Sequence, residues 1–251
     1  MLKFKGYNRL NGIKKAFTLA EVLITLTIIG IVAAVSIPTM VADHSEKETV
    51  ARVKKFYTTM EQVYRLAVTE YGPISRWNVP DGTNSASATK FAEYIKPYLN
   101  IGKDCGAVSN TNDAEKMGCV YYPIKEGQTR NIRLLNSTSD VSTWYGVNYD
   151  RSGIYYKMIL TDGTYLWFRT INSYCRGQDG GFDPKDKMCA LVWIDTNGSD
   201  KPNTMCMDIF YLAFTTKGIK LNIKDDCNKN DTGWSCIKYI LDNGNMDYLN
   251  Q

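Results

Sequence analysis

Residues 17–42, FTLAEVLITLTIIGIVAAVSIPTMVA, run for 26 positions with a single charge, Glu21. Coiled as a helix at about 1.5 Å per residue, such a run is long enough to cross a hydrocarbon core of ~30 Å. A secretory signal has a shorter apolar core closed by a small-residue cleavage site. This run passes instead into a charged, helix-forming segment, so the span reads as retained.

The charges around the span set its orientation. The first sixteen residues hold Lys3, Lys5, Arg9, Lys14 and Lys15 and no acid. By the positive-inside rule the N-terminus then lies in the cytoplasm and everything after residue 42 lies outside. The formal charge of the whole chain is +4 from 30 basic and 26 acidic residues, but without those five cations 25 bases face 26 acids, a net charge of −1. The basic character belongs to the leader and does not describe a protein seeking nucleic acid, and the remainder shows no basic stripe interleaved with aromatics.

Two further counts exclude chemistry. The chain has one histidine, His44, beside the apolar run, so His-ligated zinc centres and Ser/His/Asp triads are absent from the last two hundred residues. No nucleophile-and-base arrangement is evident, and the expectation is a protein that is not an enzyme. All seven cysteines lie beyond residue 100 and no CxxC pair occurs, which points to disulfides in an oxidising compartment. Loop length favours Cys105 with Cys119, Cys227 with Cys236 and then Cys175 with Cys189, leaving Cys206 over; buried reduced cysteines are the alternative.

A carboxylate inside a membrane helix costs several kcal/mol unless it is paired or reaches the interface. Glu21 either has a partner or sits near the helix start, where the helix dipole favours a negative charge. At these residues the chain resembles a known family. The string KKAFTLAEVLITLTIIGIVAAVSIP is similar to the cleavage and methylation motif of type IV prepilins and type II secretion pseudopilins, with Phe17, Thr18, Leu19, Glu21, Gly30 and Pro38 in the motif's places. The resemblance covers about the first fifty-five residues. It implies cleavage between Ala16 and Phe17 by a prepilin peptidase, N-methylation of Phe17, and pairing of Glu21 with the freed N-terminus of a neighbouring subunit, where opposite charges offset each other's desolvation and fix register. Ala16 departs from the family, which usually has Gly before the cut.

The same resemblance implies a structural subunit of a type IV pilus or secretion pseudopilus. Its partners would be copies and relatives of itself, the prepilin peptidase and an inner-membrane assembly platform. It would stand single-pass in a bacterial inner membrane with a periplasmic head, and pass into a filament. The contrasting function is a signal-anchored periplasmic binding module or enzyme that does not polymerise. Gly30 lets another helix approach closely, and Pro38 removes a backbone hydrogen bond, so it should kink or locally melt the helix; ordinary membrane-helix composition also accounts for both.

Beyond the span, Val50, Val53, Phe56, Met60, Val63 and Ala67 recur at steps of three and four, predicting one amphipathic continuation of the helix to Tyr71, stopped by Gly72-Pro73. Residues 72–88 read as a loop and 89–98 as a short helix. Strands are expected at 154–160, 164–170, 190–195, 209–215 and 219–223, with Asp162-Gly163 as a hairpin turn, and a last short helix at 234–241. The class is α+β: a long N-terminal helix packed on a mostly antiparallel sheet. The expected divisions are a leader (1–16), a transmembrane half-helix (17–42), an amphipathic half-helix (43–71) and a disulfide-containing head (72–251).

In the head, Asp195, Asn197, Asp200 and Asp208 are oxygen donors suited to a hard cation, and the resemblance implies a calcium loop there. The spacing is not that of an EF-hand, and Asp, Asn, Gly and Pro also make turns without any ion. A second acidic stretch, GQDGGFDPKDK, carries less. The five tryptophans are expected to pack the core and sheet faces.

Overall fold

The computed structural model describes residues 17–107, 119, 132–136, 154–171, 175, 182–183, 185–198, 200, 202–222 and 227–250. The chain divides into two compact units at Ser45/Glu46. Helix α1, Leu19–Tyr71, runs through that boundary with Pro38 inside it. At its C-terminus the Gly72 amide donates to the Val68 carbonyl at 2.9 Å. The Gly72 φ of +79° is the left-handed cap that a side chain would strain, and Pro73 prevents continuation.

The second unit is built on six described strands in a meander, β1-β2-β3-β4-β5-β6, every neighbouring pair antiparallel. They are β1 Ile101–Gly106, β2 Tyr156–Leu160, β3 Tyr165–Thr170, β4 Met188–Asp195, β5 Ile209–Thr215 and β6 Gly218–Lys220. Between β2 and β3 the chain reverses through Asp162-Gly163, with Gly163 at φ +83° and the Leu160 amide donating to the Thr164 carbonyl at 2.9 Å. This is the turn that the Asp-Gly pair predicts. Sheet and helix together give the α+β, pilin-like layout.

Alternation divides the sheet's side chains between two cores. On one face Met158, Leu166, Phe168, Val192, Ile194, Leu212 and Phe214 bury against Val53, Phe56, Met60, Val63 and Ala67 of α1 and Phe91 and Ile95 of α2, Ser85–Ile95. The opposite face holds Trp167, Leu191, Trp193, Ile209, Tyr211 and Ala213, covered by Ile132, Phe182 and Met205. Trp193 stacks on Tyr211, which meets Trp234 edge-on. With both faces covered, every residue of β4 and β5 is buried. Such strands read as near-continuous apolar runs (MCALVWID, IFYLAFT), a pattern more usual in parallel sheets. Trp77, Trp167 and Trp193 are buried and Trp234 is half-buried; Trp144 lies outside the described residues.

Three elements differ from expectation. The segment 72–88 is not all loop, because α2 starts at Ser85: Asn84 caps it by accepting from the Ser87 amide at 2.9 Å while the Ser87 hydroxyl accepts from the Asn84 amide at 3.1 Å. Polar residues that resemble a linker are here a capping box. The predicted 89–98 helix is α-helical only to Ile95, ahead of Pro97's restriction of the chain, and finishes as a 3-10 turn, Lys96–Tyr98, that contains the proline. Strand β1, IGKDCG, has little β propensity and two register shifts; it is held by pairing with β2 and by Lys96, whose ammonium meets Asp104 at 2.7 Å and the Tyr156 hydroxyl at 2.9 Å. The last helix, α3, is Cys236–Asn243, closed by Gly244. Residue 223, placed in the last strand, lies outside the described residues.

Candidate functional site

Helix α1 begins with a reciprocal cap. Thr18 precedes the first helical residue, its amide and hydroxyl donating to Glu21 Oε2 at 2.8 and 2.9 Å, while the Glu21 amide donates back to the Thr18 hydroxyl at 3.2 Å. This is the Ser/Thr-x-x-Glu capping box, which satisfies donors at a helix start that have no intrahelical acceptor. Charge considerations single out Glu21 but miss Thr18 as its partner; the T-L-A-E spacing is the signal that finds it. Both donors share Oε2, and Oε1 takes part in neither bond. Ala16, on the other side of the expected cut, lies outside the described residues.

From Phe17 onward the helix offers apolar side chains in all directions. Phe17, Leu19, Leu23, Ile24, Leu26, Ile28, Ile29, Ile31, Val32, Val35, Ile37 and Val41 are all exposed. An exposed apolar surface of this extent marks a contact with lipid or protein. The hydroxyls within it turn inward: Thr25 donates to the Glu21 carbonyl, Thr27 to Leu23 and Ser36 to Val32, at 2.7–2.9 Å. A hydroxyl satisfied by its own helix costs little in hydrocarbon. A side chain added at Gly30 would meet nothing within 4 Å, so the glycine leaves a notch in the helix surface. Helix α1 continues through Pro38.

A family model described as a family of unknown function, DUF6613, matches residues 39–250, and a model of the prokaryotic N-terminal methylation motif matches residues 13–37. The chain belongs to DUF6613. No curated protein and no solved structure matches it. The motif at the head of this DUF6613 chain is characteristic of type IV pilins and pseudopilins, and with the long helix and antiparallel sheet it makes the protein pilin-like.

In the head of the DUF6613 protein, the predicted oxygen-donor loop closes largely on itself. Asp208 accepts from the Thr204 and Asn203 amides at 2.7 Å each and also from the Asn197 side chain. Burial pushes its carboxyl up to about 6, although these three donors act to lower it. Asp195, fully buried at the end of β4, accepts from the Asn197 amide at 3.1 Å. Asp200 is exposed. Among the described residues, the only three His, Cys, Asp or Glu side chains whose ligand atoms lie within 4.8 Å of one another are Cys206, Cys227 and Cys236.

The cysteines fall into three groups. Cys105 on β1 is bonded to Cys119, and Cys175 to Cys189 on β4, with Cα separations of 5.7 and 4.0 Å. Cys206, which loop length leaves over, joins Cys227 and Cys236. The Cys236 sulfur is in bonding reach of both. Sequence separation hides this cluster, because the turn before β5 and the start of α3 meet only through the tertiary fold.

Proposed function

We propose that this protein is a structural subunit of a type IV pilus or type II secretion pseudopilus, held in a bacterial inner membrane by residues 17–42 with its N-terminus cytoplasmic and its head periplasmic. A prepilin peptidase cuts between Ala16 and Phe17 and methylates Phe17. The subunit then joins copies and relatives of itself on an inner-membrane assembly platform. The observation that carries this reading is the helix whose apolar side chains are exposed all round from Phe17 to Val41, led by the methylation motif. A monomer leaves that surface to lipid, and a filament buries it against neighbouring helices. Glu21, at the helix start with Oε1 outside the cap, pairs with the freed amine of an adjacent subunit. The role is one of assembly and not of catalysis, and nucleic acid is not the expected partner.

The test is the N-terminus of the membrane-extracted protein. Mass spectrometry is expected to find methylated Phe17 as the first residue, whereas an intact leader from Met1 to Lys15 overturns the reading. A Glu21→Ala variant is expected to insert in the membrane and fail to enter filaments.

A further inference from the structure

Four of the seven cysteines are used by Cys105–Cys119 and Cys175–Cys189, which leaves three. Those three meet at one buried point, approached from three directions. Cys206 comes from the turn before β5, held at φ +62° with its amide donating to the Ile209 carbonyl at 2.8 Å. Cys227 comes from the loop after β6, and Cys236 is the first residue of α3. The Cα of Cys236 lies 5.7 Å from that of Cys206 and 5.0 Å from that of Cys227. Both separations fall inside the window of about 4.4–6.8 Å in which a disulfide forms without backbone movement.

A sulfur forms one disulfide at a time, so one bridge on Cys236 leaves the other neighbour as a thiol beside it. In-line displacement at a disulfide needs the entering and leaving sulfurs roughly two bond lengths apart, ~4 Å. The three sulfurs lie within 4.8 Å of one another, so each of the two outer cysteines is within reach of Cys236 without movement of the chain.

We propose that Cys206, Cys227 and Cys236 form an internal thiol–disulfide exchange site in which Cys236 carries its bridge alternately to Cys227 and to Cys206. The Cys206 thiolate attacks the Cys236 sulfur of the Cys227–Cys236 bridge. A new S–S bond forms as the old one breaks, the electron pair leaves on the Cys227 sulfur, and that sulfur takes up the proton Cys206 gave up. One disulfide and one thiol stand on each side of the step, so it needs no oxidant or reductant. Its effect is to change what α3 is tied to. The Cys227 bridge spans 9 residues and is local, whereas the Cys206 bridge spans 30 and ties α3 across the β5–β6 hairpin to the turn that feeds β5. Tyr248 already donates to the Cys206 carbonyl at 2.7 Å, so the C-terminal turn and α3 would then share one anchor.

The experiment uses the full-length protein in detergent. It is unfolded at acid pH, its thiols are blocked with N-ethylmaleimide without reduction, and it is digested with trypsin. Lys217, Lys220 and Lys224 separate Cys206 from Cys227, and Lys229 separates Cys227 from Cys236, so the three fall on three tryptic peptides; a second digestion with endoproteinase Asp-N, which cuts before Asp195 and Asp200, frees Cys206 from Cys189 on the peptide they share. Exchange predicts one label per cluster, divided between Cys206 and Cys227, with both bridged peptide pairs present. Prolonged labelling of the native protein should drain the label to completion onto the more accessible of the two. A label confined to one cysteine, a label on Cys236, or a native-state division that never drains overturns the proposal. Three labels per cluster also overturn it, in favour of a reduced or metal-holding thiolate trio. Cys206→Ser and Cys227→Ser are each expected to retain a bridged Cys236, and a free Cys236 thiol in either folded variant counts against exchange.

Discussion

Thr18 and Glu21 hold each other at the start of α1, three hydrogen bonds of 2.8–3.2 Å joining two residues one helical turn apart. The acid is therefore a local cap as well as the one charge in the apolar run of residues 17–42, and the two roles separate by substitution. Glu21→Gln keeps a side-chain acceptor at the third helical position, where Gln also serves in a capping box, but removes the charge. Thr18→Val removes the cap hydroxyl and leaves the charge. Filament incorporation should be lost in Glu21→Gln and kept in Thr18→Val, while the helix start weakens by about 1 kcal/mol in Thr18→Val. Hydrogen exchange at the first helical turn and recovery of sheared filaments report the two effects independently.

The buried stripe of α1 should be sharply one-sided. Met60 is fully buried against the sheet, whereas Leu66 is 42% exposed. Met60→Ala is expected to destabilise the folded head by about 2–5 kcal/mol through lost transfer energy and the cavity left behind. Leu66→Ala should stay within about 0.5 kcal/mol. Denaturant unfolding of the detergent-solubilised chain, followed by tryptophan fluorescence, separates them, and equal losses would mean that α1 packs by another face.

Arg52 supplies the polar half of the same docking. Its guanidinium donates to the Thr196 carbonyl at 2.8 Å, beyond the end of β4, and to the Asp162 carbonyl at 3.4 Å in the β2–β3 turn, while Glu48 orients it from one turn earlier. Beside it Lys55 meets Asp162 at 2.7 Å. Removing the fork in Arg52→Met leaves the partly buried Thr196 carbonyl without its donor, a cost of about 1–3 kcal/mol. Glu48→Ala breaks only an exposed ion pair and should cost under about 1 kcal/mol. Thermal melting should fall by several degrees in the first variant and little in the second.

What the sequence makes legible follows physical range. The apolar run, the three-and-four stripe from Val50 to Ala67 and the Asp162-Gly163 turn are local patterns, and each appears where it is read. Strand β1 is not legible because IGKDCG owes its extension to β2 and to Lys96, not to its own propensity. The start of α2 is hidden because Asn84 and Ser87 are as common in turns as in caps. The methylation motif is itself a local pattern, but the Thr18–Glu21 cap within it is not signalled by the charge of Glu21, which gives no hint of the Thr18 hydroxyl one turn away. The cysteine cluster is beyond any local signal, since loop length ranks the 9-residue bridge and gives no hint that Cys206 arrives at the same point.

Asp208 should give the head a distinctive response to pH. Burial raises its carboxyl from the ordinary 3.8 to about 6, so the folded chain holds this proton more tightly than the unfolded chain does. Its contribution to stability is thus fully present below about pH 4 and is lost as pH rises through about 6, a change of roughly 3 kcal/mol over some two pH units. Asp104 and Asp162 act in the opposite sense. Burial pushes each carboxyl up, but the hydrogen bonds from Lys96 and Tyr156 to Asp104, and from Lys55 and Thr164 to Asp162, together hold them below the usual range. Their contribution is present above pH 4 and is lost as pH falls further. Comparing the natural chain with Asp208→Asn cancels those two and isolates Asp208. Between pH 4 and 6.5 the natural chain should lose stability relative to the variant, and chemical denaturation at half-unit steps measures the difference. A difference that is flat across this range would mean that Asp208 keeps an ordinary carboxylate pKa in the folded loop, and that the Thr204, Asn203 and Asn197 donors fully offset its burial.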